Sequence, residues 1–219
     1  MLKSDKERAR KIIFLLKKKY SKAKIALVSE TPFQLLVATI LSAQCTDERV
    51  NLVTKDLFKK YKSPKDFLHV SNKELEKDIF STGFYHQKAK NIKACCKDLM
   101  DKHLGEVPAD FEALIKLAGV GRKTASVIVG NAFGIPAIAV DTHVKRLSNL
   151  LGFIKSEDPE KIELRLKELL PEKDWVDSSH LLATHGRNIC IARRPKCLEC
   201  VLGDLCPSYT QNNVKSRRL

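Results

Sequence analysis

Apolar residues recur at spacings of three and four along most of this chain, and that periodicity constrains the fold more than any other feature. KELEKDIF, FEALIKLA and KIELRLKELL show it, and no stretch has the period-two alternation, bounded by turns, of a half-buried strand. Helix-start signals stand at Thr31 with Pro32, Ser71, Asp110, and Asp158 with Pro159. The sequence therefore predicts an all-α fold of short helices joined by tight turns.

Length and charge narrow the class of protein. The chain has 219 residues, enough for one large or two small domains. It carries 40 Lys and Arg against 26 Asp and Glu, a formal charge of +14. Such an excess favours a polyanionic partner, because phosphate neutralisation releases counterions. The alternative is a basic surface that only maintains solubility.

The lengths of the apolar runs and the positions of the cysteines indicate the cellular compartment of the protein. No run approaches the roughly 20 residues that span a bilayer, and the N-terminal KIIFLLKKKY lacks a small-residue cleavage site. We therefore expect a cytoplasmic protein without a membrane partner, associated with the nucleoid if it is bacterial. Four of the seven cysteines lie between residues 190 and 206, which favours metal ligation over disulfides.

The segment LAGVGRK predicts a glycine hairpin between two helices. Gly119 and Gly121 allow positive φ and outward-facing amides, and the following helix N-terminus adds its dipole. Such a nest binds an anion, here a DNA phosphate, with Arg122 beside it. A helix-turn-helix packing corner is the alternative.

Lys123 follows this hairpin, and Asp141 ends the apolar run IPAIAV. A cation is disfavoured at a helix N-terminus, and a partly dehydrated amine there suits a Schiff-base nucleophile; a phosphate-pairing lysine is the alternative. After a helix predicted from Thr124 to about Phe133, the turn at Gly134 and Pro136 lets the chain return towards the lysine. Asp141 then caps THVKRLSNLLG, and it can be a plain N-cap or a working carboxylate.

Cys190, Cys197, Cys200 and Cys206 form a C-x6-C-x2-C-x5-C pattern. This spacing permits either a tetrahedral zinc ion or an iron-sulfur cluster. The remaining cysteines, Cys45, Cys95 and Cys96, lie in apolar helical contexts, and we expect them in the core.

LAGVGRKTA followed by IAVDTHV resembles the helix-hairpin-helix and aspartate signature of the endonuclease III family of DNA glycosylases. The resemblance continues in LSAQCTDERVN, TGFYHQKAKNI and HGRNICIARRPKCLEC, from about residue 30 to residue 206. It implies a two-lobed all-α helix-hairpin-helix fold with a C-terminal iron-sulfur cluster loop. A helical barrel domain would span 25–135, and a cluster domain 1–24 with 136–219. The lysine and the aspartate would then come from opposite sides of a cleft.

The resemblance also implies a chemistry and a substrate. Damaged, oxidised pyrimidines would be extruded from double-stranded DNA, Lys123 would attack C1′, and Asp141 would accept a proton or stabilise positive charge. The Schiff base would then permit β-elimination at an abasic site, so that one site has glycosylase and lyase activity. The cysteine spacing resembles the cluster-binding signature of this family, so the resemblance favours a four-iron four-sulfur cluster over zinc.

Further DNA contacts are carried over from the same motifs. Gln44, at the end of the helix predicted over FQLLVATILSAQ, matches a gap-filling glutamine. Phe84 stands where the family often has leucine, so it is either a wedge or a buried turn aromatic. His143 resembles a residue beside the pocket. The basic residues of IARRPK either bind phosphate, which we favour, or balance an anionic cluster; they are Arg193, Arg194 and Lys196.

Two other functions stay open at this point. One is a monofunctional mismatch glycosylase of the same superfamily, whose members usually lack a lysine at the position of Lys123. The other is a non-catalytic, redox-sensing DNA-binding module. For the preferred function we expect a monomer.

Overall fold

The computed structural model describes residues 4–209, and these residues form eleven α-helices and no strand. The helices are α1 Asp5–Lys19, α2 Pro32–Leu41, α3 Asp47–Lys60, α4 Pro64–His69, α5 Asn72–Ile79, α6 Tyr85–His103, α7 Phe111–Leu114, α8 Arg122–Ala132, α9 Thr142–Leu150, α10 Pro159–Leu169 and α11 Trp175–Asn188. Four 3₁₀ turns accompany them, at Phe80–Thr82, Glu172–Asp174, Cys197–Glu199 and Gly203–Leu205. The all-α prediction is therefore confirmed.

The chain forms two compact units. One is the continuous segment Ile25–Ile135, and the other combines the chain up to Lys24 with the chain from Pro136 onward. We call them the continuous unit and the discontinuous unit. Among residues 4–209, no helix is both long and apolar enough to cross a membrane.

The continuous unit is built around α2 and α6. Helix α2 packs against α3, α6 and α8, and α6 also packs against α4 and α5. All but two residues of α2 are buried hydrophobic side chains or Thr39, so this helix is surrounded rather than amphipathic. Phe67, Ile92 and Leu99 are fully buried alongside it. Burial of such side chains contributes roughly 1.5–3 kcal/mol each.

The discontinuous unit has its own core. Helix α1 packs against α10 and α11, and α9 packs against both of these. The apolar face of α1 includes Ile12 and Leu16, which are fully buried with Leu166 of α10 and Leu182 of α11. The N-terminal helix therefore completes a core whose other members come from the last third of the chain.

Side-chain caps explain where the helices begin. The Thr31 hydroxyl accepts a hydrogen bond from the Gln34 amide, with Pro32 as the first helical residue. The predicted starts at Ser71, Asp110 and Asp158 are confirmed in the same way.

Three helical segments differ from expectation. LSAQ does not extend α2 to Gln44, because the helix ends at Leu41 and tight turns follow. FEALIKLA is helical only over α7, because i→i−3 hydrogen bonds from Lys116, Leu117 and Val120 tighten the chain before it reverses. Helix α8 begins at Arg122 rather than at Thr124.

The three cysteines outside the C-terminal group differ in burial. Cys95 and Cys96 are buried in α6, as predicted. Cys45, which was expected in the core, is only half-buried, because it lies in the turns that follow α2 rather than within the helix.

Candidate DNA-binding and cluster sites

The hairpin between α7 and α8 uses its two glycines differently. Gly119 has φ +76°, in the left-handed region, and a Cβ built there would lie 2.9 Å from Cβ of Asn91 in α6. Gly121 has φ −92°, which any residue adopts, and apart from its two chain neighbours no atom of residues 4–209 would lie within 4 Å of its Cβ. Gly119 is thus required by the turn and by the close packing on α6. The fold itself gives no reason for a glycine at 121.

Gly121 is the N-cap of α8, and no side chain caps this helix. Lys123 lies in the first turn and is exposed, so the chain around it does not supply the dehydration considered from the sequence. The guanidinium of Arg122 lies 5.0 Å from the centre of the Phe111 ring in α7. The structure therefore brings together the hairpin glycines, a basic residue held on an aromatic ring, and an exposed amine.

Gln44 and Phe84 share an unusual backbone. Their φ values are +53° and +47°, and in the described chain the only other such non-glycine residue is Leu104. Residues other than glycine are disfavoured in this left-handed region of positive φ, and those that adopt it concentrate at functional sites. Phe84 is 64% exposed, which excludes the buried turn aromatic considered from the sequence. Gln44 is exposed as well.

Asp141 is held at the N-terminus of α9. Its Oδ1 accepts a hydrogen bond of 2.7 Å from the Val144 amide, and this cap uses one of the two carboxylate oxygens. The extended segment before it is fixed by the buried side chain of Ile138 and by the Ala139 amide, which donates to Oγ of Ser179 in α11. Asp141 is therefore an N-cap, in a position set by the core of its own unit.

His143 lies in the first turn of α9 and packs closely on α11. A Cβ on Gly186 would lie 3.0 Å from Cβ of His143, so a small residue is needed there. Burial lowers the pKa of the His143 imidazole, and the nearby Asp141 carboxylate opposes this shift. The imidazole therefore favours its neutral form, which can both donate and accept a hydrogen bond.

The four C-terminal cysteines surround one cavity. All four line this cavity, together with Leu147, Leu151 and Leu202. None of them is in a disulfide. Within residues 4–209, no three His, Cys, Asp or Glu side chains converge as ligands of one metal ion. Four thiols around one cavity are the donor set that a tetrahedral zinc ion or an iron-sulfur cluster requires.

Local structure fixes the position of each cysteine. The Cys190 amide donates to the His185 carbonyl beyond the end of α11, and Cys200 and Cys206 follow 3₁₀ turns directly. The Cys206 thiol lies 3.7 Å from the carbonyl oxygen of Leu150. Burial raises the pKa of Cys190 to about 11, so the free thiol form is favoured until a metal centre replaces the proton.

A histidine and a tyrosine support this cysteine group. Nε2 of His185 lies 3.4 Å from Sγ of Cys200, and Nδ1 lies 3.0 Å from the hydroxyl of Tyr20. His185 is 2% exposed, and burial lowers its pKa to about 4. A neutral ring that accepts from Tyr20 and donates to the sulfur satisfies all three groups.

Two arginines hold the same region, and the sequence analysis did not identify them. Nη2 of Arg146 donates to the carbonyls of Gly186 and Cys190, at 3.0 and 2.7 Å. Nη1 of Arg8 donates to the carbonyls of Leu151 and Leu205, at 2.6 and 3.2 Å. Nothing in the local sequence separates these residues from the many exposed basic residues of the chain. We call residues 190–206, which contain the four cysteines, the cluster segment. Its predicted basic residues are exposed; they are Arg193, Arg194 and Lys196.

Comparison with known proteins identifies the family. Residues 37–172 match the family model for HhH-GPD superfamily base excision DNA repair proteins, and residues 190–206 match the iron-sulfur binding domain of endonuclease III. Endonuclease III of Synechocystis sp. is 51% identical over 206 residues, which cover 94% of each chain.

Two solved structures are similar along almost the whole chain. A non-covalent endonuclease III–DNA complex has a TM-score of 0.92 and 46% identity, and covers 98% of this chain and 100% of that one. A trapped endonuclease III–DNA covalent intermediate gives the same TM-score and identity, with 97% of this chain and 100% of that one covered. The chain belongs to the HhH-GPD superfamily of base excision DNA repair proteins, and within it to the endonuclease III family. Its cofactor is a four-iron four-sulfur cluster.

Proposed function

We propose that Lys123 is the amine nucleophile and Asp141 the assisting carboxylate of this base-excision DNA glycosylase, which has an associated lyase activity. The observation that carries the proposal is the exposed amine of Lys123 in the first turn of α8, directly after a hairpin whose helix has no side-chain cap. Asp141 is supported by its cap, which fixes the carboxylate through one oxygen.

The chemistry needs a neutral amine and a group that handles charge. The Nζ of Lys123 forms a bond to C1′ of the damaged nucleoside while the bond from C1′ to the base breaks, and the base leaves with the electron pair. Asp141 accepts the proton from the amine or stabilises the positive charge on the sugar. Loss of a second proton from the nitrogen then breaks the bond between C1′ and O4′, which opens the sugar ring and gives the Schiff base, and O4′ takes up a proton. The Schiff base acidifies the C2′ hydrogen, and loss of this hydrogen as a proton expels the 3′ phosphate and nicks the strand.

The DNA contacts are proposed from exposure and backbone geometry. Gly119, Gly121 and Arg122 bind phosphate at the hairpin, since the open space at Gly121 lets a phosphate oxygen reach uncapped amides. Gln44 and Phe84 fill the gap left by the extruded base, since both are exposed and are presented by left-handed turns.

The cluster segment contributes ligands and positive charge. Cys190, Cys197, Cys200 and Cys206 ligate the four-iron four-sulfur cluster, which supplies a rigid cross-link of this segment when bound. Arg193, Arg194 and Lys196 contact phosphate, because their side chains are exposed. His143 lies two residues after Asp141 and is proposed to contact the extruded nucleotide.

Oxidised pyrimidines in the chromosomal duplex of the nucleoid are the proposed substrates, and the acting species is proposed to be a monomer. Both proposals rest on the family, and a panel of lesion duplexes together with sedimentation analysis tests them. Release of other bases in preference to oxidised pyrimidines would reject the substrate assignment.

Borohydride trapping on a thymine-glycol duplex tests the nucleophile. The unsubstituted protein should give a covalent adduct, and Lys123→Ala should remove it while DNA binding persists. Lys116→Ala, which removes an exposed lysine from the same hairpin, should leave the adduct in place. Base release without trapping would indicate a monofunctional glycosylase, and neither activity would indicate a DNA-binding module. An adduct that persists in Lys123→Ala would assign the chemistry to another amine.

A further inference from the structure

Lys88 is a buried cation that the proposed chemistry does not use. It lies in α6 and is 4% exposed. Its Nζ donates two hydrogen bonds of 2.8 Å, one to the carbonyl of Leu41 and one to the carbonyl of Thr82. A buried lysine is costly unless its hydrogen bonds are made, so these two contacts account for its presence inside the continuous unit.

Both acceptors are the last residues of helical segments. Leu41 ends α2, and Thr82 ends the 3₁₀ turn Phe80–Thr82. Carbonyls at such ends have no partner within the helix, and they carry the negative end of its dipole. One ammonium group therefore satisfies two helix ends that come from segments about forty residues apart in sequence.

These two helix ends lead directly into the two left-handed turns. Gln44 follows Leu41 by three residues, and Phe84 follows Thr82 by two. Phe84 is also the N-cap of α6, one turn before Lys88 on the same helix. Asn91, three residues after Lys88, is the side chain against which Gly119 packs. One stretch of α6 thus contacts the hairpin, carries Phe84 at its start and binds the end of α2 ahead of Gln44.

We propose that Lys88 is a positioning residue, which fixes the spacing between the Gln44 turn and the Phe84 turn so that both enter the duplex gap together. This inference rests on the proposed roles of Gln44 and Phe84. It goes beyond them in assigning the alignment of the two turns to one buried ammonium group, which touches neither the DNA nor the reacting atoms.

The test compares duplex with single-stranded DNA. A single-stranded oligonucleotide with an abasic site presents the sugar to Lys123 without a gap to fill, so trapping on it reports the nucleophile and the fraction of folded protein. Lys88→Met keeps the length of the stem and removes the donors. We expect it to lower the single-turnover rate on a thymine-glycol duplex about tenfold relative to single-strand trapping, because misplacement by about 1 Å is enough for such losses.

Lys93→Met is the matched control. Lys93 lies on the same helix and its Nζ also donates to a carbonyl, that of Val70 at the end of α4, which leads into neither turn. Its duplex to single-strand ratio should stay within about twofold of the unsubstituted value, as expected for a side chain outside the aligned turns. A 2-aminopurine placed opposite the lesion should brighten less on binding Lys88→Met than on binding Lys93→Met.

Gln44→Ala and Phe84→Ala separate the two possible failures. If both lower the duplex to single-strand ratio and Lys88→Met does not, the positioning role is refuted and the gap-filling roles stand. If neither lowers the ratio, the gap-filling roles fail and the inference fails with them. Equal losses of Lys88→Met on duplex and single strand would reduce the lysine to a general stabilising residue and also overturn the inference.

Discussion

Alanine at Gly119 and alanine at Gly121 should have opposite consequences, although the two glycines are two residues apart in one hairpin. At Gly119 the added methyl group meets both a left-handed backbone and Cβ of Asn91 at 2.9 Å. At Gly121 the backbone is extended, and in the described part of the chain no atom beyond its two neighbours lies within 4 Å of the methyl group. The first substitution therefore perturbs the fold, and the second perturbs only what binds there.

The magnitudes follow from these geometries. The left-handed conformation costs about 1–2 kcal/mol with a side chain, and overpacking costs about 1–3 kcal/mol. Lower entropy of the unfolded chain offsets about 0.4–1 kcal/mol, so Gly119→Ala should lose about 1–4.5 kcal/mol of unfolding free energy. For Gly121→Ala the same offset roughly cancels the weaker N-cap, and stability should change by less than about 0.5 kcal/mol.

For DNA affinity the order is reversed, because Gly121→Ala should weaken binding whereas Gly119→Ala acts on the fold. A methyl group between a phosphate oxygen and the amides of α8 removes a hydrogen bond to a charged group, worth about 1.5–3 kcal/mol, or about ten- to a hundredfold in Kd. Thermal unfolding and fluorescence anisotropy on an abasic-analogue duplex, both at fixed salt, measure the two effects. Unchanged DNA affinity in a stably folded Gly121→Ala would refute the phosphate site, and unchanged stability of Gly119→Ala would refute the packing argument.

Two further substitutions test the charged residues of the discontinuous unit. Asp141→Asn retains an amide oxygen for the Val144 cap, so stability should hold while kcat falls about 10²–10⁴-fold; a loss of affinity as large as the loss of turnover would leave the aspartate as a cap alone. Arg193→Ala and Arg194→Ala should each reduce the slope of log Kd against log salt by about 0.9. Arg10→Ala, an equal charge change on an exposed face of α1, serves as the reference, and slopes that match it would remove both arginines from the phosphate interface.

Much of the fold could be predicted because the sequence signals for a helix lie within or next to the helix itself. Caps such as Thr31 with Pro32 lie next to the segments they start, and the apolar period extends over several turns. The ends were harder to predict. Whether α2 continued to Gln44 depended on the turns that follow Leu41, and the pattern of apolar residues is the same in both cases.

The candidate site was predictable where one short segment contains it, as with Gly119 to Lys123 and the four cysteines. The long-range contacts of buried basic side chains were not. Lys88 in YHQKAKN and Arg146 in VKRLSN resemble any surface cation in sequence, since each donates to a carbonyl at least forty residues away, that of Leu41 or that of Gly186. The residue type does not reveal which carbonyl accepts such a hydrogen bond, because every residue has a backbone carbonyl.

The discontinuous unit also imposes an order on biosynthesis. Helix α1 is synthesised before its partners, and Ile12 and Leu16 can pack against α10 and α11 only after some 160 further residues have been translated. The intervening segment Ile25–Ile135 is complete in itself and can fold during that interval. A chain truncated after Ile135 would thus combine a folded Ile25–Ile135 unit with an unburied apolar face of α1, which would expose it to chaperones and proteases.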